Sequence, residues 1–249
     1  MNPACIKINR GFTMGTCTLK SENQAITICP NRFLENGQLF ADAAREVFGR
    51  GSRIAAVPEV SVFSGGANEF GKVDFMVLKL DDSGTPTDQF FALEIQSVYV
   101  SGKSSVPVLR KFLTLGAIPR AAVSAPDYRS SHKRLIPQLE SKMPIFRAWG
   151  IKYLVAVDHS FLASLPDFPK QNSLENSEIT WLAYPFPERR GTVGFEMGMP
   201  RVVYSTYNSV HNALTLRPWP AKNAILQICR EKLEKEDSPR NIVRNMLVE

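Results

Sequence analysis

The chain has 249 residues, 44% of them hydrophobic and 22% charged, with a formal net charge of +6 at pH 7. That length suits one large domain or one domain with a small appendage, and that apolar fraction excludes a disordered chain. The positive balance favours a polyanionic partner. No apolar run approaches a membrane span, and the first residues lack the apolar stretch of a secretory signal, so the expected compartment is the cytoplasm.

Residues 1–32 show little long-range periodicity and alternate short turns, at Arg10-Gly11 and Met14-Gly15, with cysteines. Three of the four cysteines, Cys5, Cys17 and Cys29, fall here. An intracellular protein of this size rarely needs disulfides, so clustered thiols suggest a thiolate metal site. The expected organisation is therefore a cysteine-rich, metal-binding segment over 1–32 and a main domain over 33–249. Residues 38–49 read as a helix, with Leu39, Phe40, Ala43, Ala44, Val47 and Phe48 as its apolar stripe and Gly49 at its C-terminal cap. An extended piece runs from Ile54 to Val62, interrupted by Pro58, and a turn follows at Ser64.

Val73 to Leu80 is a strand, Asp81 to Pro86 a turn, and Phe90 to Val100 the next strand. Residues 105–118 predict a helix with Pro107 in its first turn. A short helix from Ser131 to Glu140 is expected to break at Pro137, with another helical piece from Ile145 to Trp149. Lys152 to Val157 reads as a buried strand ending at Asp158 and His159, where His159 is a candidate capping residue. Region 160–200 is rich in turn formers, with one strand at Ile179 to Tyr184 and a hairpin around Arg189-Arg190-Gly191. Residues 222–234 form the clearest late helix. The mixed order favours an α/β fold, and the hairpin-linked strands argue against a purely parallel sheet. Glycine-rich phosphate loops and a nucleophile elbow are both missing from the sequence.

The chemistry concentrates on two strands. Gly71-Lys72-Val73-Asp74-Phe75 and Phe91-Ala92-Leu93-Glu94-Ile95-Gln96 each place a carboxylate where a buried strand normally carries an apolar residue. Glu94 and Gln96 share a strand face, and a hairpin would bring Asp74 beside them. Two carboxylates on adjacent strands suit a hard cation such as Mg²⁺ and phosphodiester hydrolysis. Glu59, in Val57-Pro58-Glu59-Val60, could add a carboxylate, and the main chain at Ile95 a carbonyl ligand. Gln96 can hydrogen-bond a water or a phosphate but brings no positive charge, which leaves that burden to the metal and to cations such as Lys103. Each residue also has a structural reading: Asp74 as a strand end, Glu94 as a salt-bridged edge residue, Glu59 as a solvated loop residue.

At this point the chain resembles a family. The paired segments look like the Asp…Glu-x-Gln variant of the PD-(D/E)xK nuclease motif. Cys17-Thr18, Ile28-Cys29-Pro30-Asn31-Arg32-Phe33 and Val57-Pro58-Glu59-Val60 resemble the NotI-type type II restriction endonucleases. These landmarks extend from about residue 5 to residue 103. The resemblance implies a mixed central sheet flanked by helices, with a restriction-endonuclease-like core and a small N-terminal cysteine-rich metal module. It further implies Mg²⁺-dependent cleavage of double-stranded DNA by a homodimer. Asp74 and Glu94 match the family's metal carboxylates, Glu59 its upstream acid, and Gln96 its replacement for the usual lysine. Cys5, Cys17 and Cys29 match a structural four-cysteine knot for zinc or iron, whose fourth cysteine has no counterpart in this region; either Cys229 or a noncysteine ligand completes it, or the metal has been lost. Phosphate contacts are expected from Lys103, Arg110, Lys111, Arg120 and the segment from Arg129 to Arg134, and a groove contact from Arg189 and Arg190. A DNA-repair nuclease acting on branched or damaged duplexes is the alternative enzyme. A catalytically inactive DNA-binding protein is the alternative of another class, motivated by Gln96 and the incomplete cysteine set.

Overall fold

Alternating apolar residues over 73–80 and 90–95 and continuous apolar runs at 153–158 and 179–184 build the centre of one sheet. The computed structural model describes residues 8–9, 12–13, 17–21, 24–62, 71–100, 126–189, 194–216 and 221–234. Two short antiparallel pairs come first, β1 (Ile8–Asn9) with β2 (Phe12–Thr13) and β3 (Thr18–Ser21) with β4 (Gln24–Thr27). A 3-10 segment, Pro30–Gly37, leads into helix α1, Gln38–Phe48, which Gly49 ends at φ 88°. Strands β5 (Arg53–Ser61), β6 (Lys72–Leu80) and β7 (Pro86–Ile95) follow. After β8 (Tyr99–Val100) and β9 (Pro126–Asp127) come helix α2 (Tyr128–Trp149), β10 (Tyr153–Asp158) and helix α3 (His159–Ser164). Strands β11 (Lys170–Gln171), β12 (Ile179–Tyr184) and β13 (Arg201–Ser205), then helices α4 (Tyr207–Thr215) and α5 (Lys222–Glu234), complete the order. Residues 1–215 form one compact unit and 216–249 another, to which α5 belongs.

Seven strands form a mixed sheet in the order β11-β13-β12-β10-β7-β6-β5. Strands β5, β6 and β7 are antiparallel neighbours, β7, β10 and β12 are parallel, and β13 and β11 close the far side antiparallel. The sheet therefore changes character at β7. Alternation along β10 fills both faces: Tyr153, Val155 and Val157 pack with Leu135, Leu139, Met143 and Phe146 of α2, while Leu154 and Ala156 join Leu39 and Ala43 of α1. This is the α/β fold with a mixed sheet flanked by helices that the sequence leads one to expect.

Three expectations need correction and three fall outside the described residues. Pro58 does not interrupt its strand, because β5 is the sheet edge, where a missing N–H costs no ladder bond. The strand expected from Phe90 to Val100 starts earlier, at Pro86, and stops at Ile95, since the Val98 amide turns away to the Thr27 carbonyl at 2.8 Å. The two short helices over 131–149 are one helix of 22 residues that runs through Pro137 and Pro144. Each interior proline costs about 3 kcal/mol. Burial of Leu135, Leu139, Met143 and Phe146 at about 1.5–3 kcal/mol apiece outweighs that. The helix expected at 105–118, the turn at Ser64 and the tip of the hairpin at 190–193 lie outside the described residues. The flanks of that hairpin do meet, with Arg189 N–H donating to Gly194 O at 2.9 Å. Among the described residues no helix is long and apolar enough to cross a membrane.

One buried carboxylate ties these parts together. Asp158, at the end of β10, accepts from Thr27 N–H at 2.6 Å through Oδ2, and from the Ser160 hydroxyl at 2.5 Å and Phe161 N–H at 2.7 Å through Oδ1. Asp158, not His159, thus caps α3, and it holds β4 against the sheet. Burial pushes its carboxyl above the ordinary range, against the pull of these donors. Asp158→Asn turns an acceptor into a donor facing donors, and the expected cost is about 1–3 kcal/mol in a urea melt.

Candidate active site

Strand pairing decides which polar side chains meet. Phe75 stands opposite Leu93 between β6 and β7, and continuing that register places Asp74 opposite Glu94. Asp74 accepts from Ile95 N–H through Oδ2 at 2.8 Å, which pins its carboxylate against β7. On the other side Val155 of β10 stands level with Glu94. Glu94 is 1% exposed on the face that α2 covers, and Lys142 of α2, itself 2% exposed, donates its ammonium to Glu94 Oε1. Breaking such a buried pair by deleting one member costs about 3–5 kcal/mol.

The electrostatics favour a site short of positive charge. Burial and then the facing Asp74 carboxylate push Glu94 up to about 8, and the Lys142 ammonium offsets only part of this. The Tyr153 phenol below is fully buried, with no hydrogen-bond partner for its hydroxyl among the described residues. Burial, with Glu94 and Asp74 nearby, raises its pKa well above the ordinary value. Gln96 keeps its place on the sheet through its N–H to Ala156 O at 2.9 Å, and its side-chain amide donates to Gln138 Oε1 on α2. One turn further towards the helix N-terminus, Arg134 donates to the Tyr99 hydroxyl and lies 4.0 Å above the centroid of that ring. Residues 134, 138 and 142 thus step along one face of α2 and meet 99, 96 and 94 in turn, from exposed to buried.

The structure brings Asp74 and Glu94 together across β6 and β7, while Gln96, two residues beyond Glu94, bonds to Gln138 of α2. Glu59 occupies the place across the β5–β6 ladder from Asp74, between the pairs Pro58–Phe75 and Val60–Val73. Its carboxylate, however, is exposed and sits 3.5 Å from the Lys72 ammonium. Its backbone is left-handed, at φ 51°, an uncommon conformation for a residue with a side chain. Cys17 and Cys29 flank the β3–β4 pair, where Ile28 N–H donates to Cys17 O at 2.9 Å; Cys5 lies outside the described residues. Among the described residues no group of three or more His, Cys, Asp or Glu side chains converges as a metal site would. Lys103, Arg110, Lys111 and Arg120 also lie outside the described residues, whereas Arg129, Lys133 and Arg134 are exposed at the start of α2. Sequence reasoning missed Lys142, Gln138 and Tyr153. The available signal was the four-residue spacing of Arg134, Gln138 and Lys142 beside the apolar stripe of α2.

Residues 4–197 match the family model for the restriction endonuclease NotI. No curated protein matches the chain.

The Glu94 environment predicts a pH dependence. Folded Glu94 keeps a proton up to about 8 that the unfolded chain releases near the ordinary 4.5. Stability is therefore greatest below that lower value and falls as pH rises through the window, by up to about 5 kcal/mol. Urea melts of chelator-treated protein at pH 5 and pH 8.5 should show this decline, and Glu94→Gln should flatten it.

Proposed function

The chain belongs to the NotI restriction-endonuclease family, and from that membership we propose that it hydrolyses phosphodiester bonds at a specific double-stranded DNA site, using Mg²⁺ held by Asp74 and Glu94. The observation that carries the reading is the pair itself: two carboxylates pressed together across β6 and β7, one of them buried and raised to about 8. A divalent cation relieves both the repulsion and the burial penalty, and oxygen donors fit Mg²⁺. When bound, the metal would supply charge neutralisation at the phosphate and a water of lowered pKa.

The chain's own residues would do the rest. Asp74, held by Ile95 N–H, and Glu94, held by Lys142, keep their carboxylates oriented before any substrate arrives. The Ile95 carbonyl would add a neutral ligand. The Gln96 amide would orient a water or a phosphate oxygen, and Glu59 would join as a third carboxylate by turning from Lys72. Arg129, Lys133 and Arg134 would contact DNA phosphates and Arg189 a groove, with a homodimer cutting both strands in the cytoplasm. Residues 1–32 would be a metal-binding segment ahead of the nuclease domain of 33–249, with Cys5, Cys17 and Cys29 on zinc or iron. The support for the last point is that Cys17 and Cys29 are carried to the same end of one hairpin.

A random duplex library incubated with Mg²⁺ should yield fragment ends that share one sequence, and a chelator should abolish them. Asp74→Ala and Glu94→Ala should each lower cleavage at least about 100-fold. Cuts confined to junctions or lesions would favour the repair nuclease, and salt-sensitive binding without turnover the inactive DNA-binding protein. Elemental analysis of protein never exposed to chelator should find zinc or iron, and Cys17→Ser should reduce it while leaving the Mg²⁺-dependent chemistry in place.

A further inference from the structure

Gln96 stands where a cation would be expected, yet the site does hold a buried cation. Lys142 reaches Glu94 from α2 rather than from β7, and both side chains are almost wholly withdrawn from solvent, 3% and 2% exposed. Burying an ammonium is costly, and well-packed apolar residues usually serve stability as well or better. At the neighbouring turns of the same helix face, Gln138 meets Gln96 and Arg134 meets Tyr99. This is a face matched to the site residue by residue, with an exposed charge at Arg134 and a buried one, Lys142, placed deepest.

Counting formal charges indicates what that ammonium does. Asp74, Glu94 and Lys142 together carry −1 when the carboxylates are ionised. A divalent cation brings the site to +1, which balances one phosphodiester anion. Without Lys142 the same cation leaves the site neutral, well able to keep its metal but with no charge left for the phosphate. We propose that Lys142 is the positioning cation of this nuclease site: it anchors Glu94 through one carboxylate oxygen and supplies, from α2, the positive charge that neutral Gln96 lacks. The inference rests on the nuclease reading above. Lys142 acts through Glu94, to which it donates.

The test uses the full chain and the duplex selected from the library. Lys142→Gln is expected to lower kcat at least about 100-fold with less than about a 5-fold change in KM for DNA. Its Mn²⁺ binding without DNA, followed by electron paramagnetic resonance, should be as tight as wild type or tighter, since a neighbouring positive charge has gone. Lys142→Arg should keep cleavage within about 10-fold of wild type. Lys142→Met/Gln96→Lys, which moves the charge to the strand, should restore most of what Lys142→Met loses. Wild-type turnover by Lys142→Gln overturns the proposal, as does parallel loss of Mn²⁺ binding and turnover. If Lys142→Gln does not fold, the double variant decides: folded and active supports the proposal, while folded and inactive, or unfolded, makes Lys142 a purely structural group and overturns it. Asp74→Ala separates the two levels. Undiminished cleavage by that variant sinks the nuclease reading, whereas undiminished cleavage by Lys142→Gln sinks only the role given to Lys142.

Discussion

A carboxylate in the middle of a sheet, covered by a helix, is the constraint from which the rest of this structure follows. Glu94 stands on β7, the strand at which antiparallel pairing gives way to parallel pairing. Unpaired at that depth it would oppose folding by far more than a hydrogen bond returns. The lysine opposite must therefore be in place, and that fixes how α2 lies. Once residue 142 is over residue 94, the helical repeat puts residue 138 over the next polar position and residue 134 at the rim. Leu135, Leu139, Met143 and Phe146 then fall on the sheet. The same register satisfies the core and the polar site together, which explains why α2 persists through two prolines.

The two halves of the sheet divide the work. In the parallel half, β10 and β12 are buried along their whole length and carry the core on both faces. In the antiparallel half, β5 and β6 run out to an exposed edge with Pro58, Glu59 and Lys72, and the sheet's burial fades from β7 outward. Glu94 sits on the boundary. It gains rigidity from the parallel strands on one side and a half-buried partner carboxylate, on Asp74, from the other. The proposed nuclease site would need both: fixed geometry for its carboxylates and an open approach for a large anionic substrate.

Much of this is legible in the sequence where the pattern is local. The period-2 alternation in β6 and β7 locates Asp74 and Glu94, and the continuous apolar run locates β12 at Ile179–Tyr184. The late helix at Lys222–Glu234 follows from its 3.6-residue stripe. What stays hidden depends on distant partners. Pro137 reads as a break because its cost is local, whereas the burial that overrides it comes from β10 and β12. Strand β13 escapes notice because only Val203 and Ser205 are buried, too few to set an apolar alternation, its outer side being covered by just the two residues of β11. Lys142 looks like an ordinary helical surface lysine until Glu94, 48 residues away, is placed opposite it.

The N-terminal hairpin is joined to the site by backbone bonds rather than by chemistry. Thr27 receives the Val98 N–H on its carbonyl at 2.8 Å and gives its own N–H to Asp158 at 2.6 Å. Val98 lies two residues beyond Gln96, and Asp158 two residues beyond Ala156, whose carbonyl holds the Gln96 N–H. Strand β4 thus closes both routes by which the chain leaves the polar end of the sheet. Ile26 and Ile28 sink into the same core, so the pair Cys17 and Cys29 at the base of the hairpin is anchored to the sheet through β4. A ligand that organised those thiols would stiffen β4 and, through Thr27, the exit of β7 after Gln96. The frame of the site therefore extends into the first 32 residues even though its carboxylates do not.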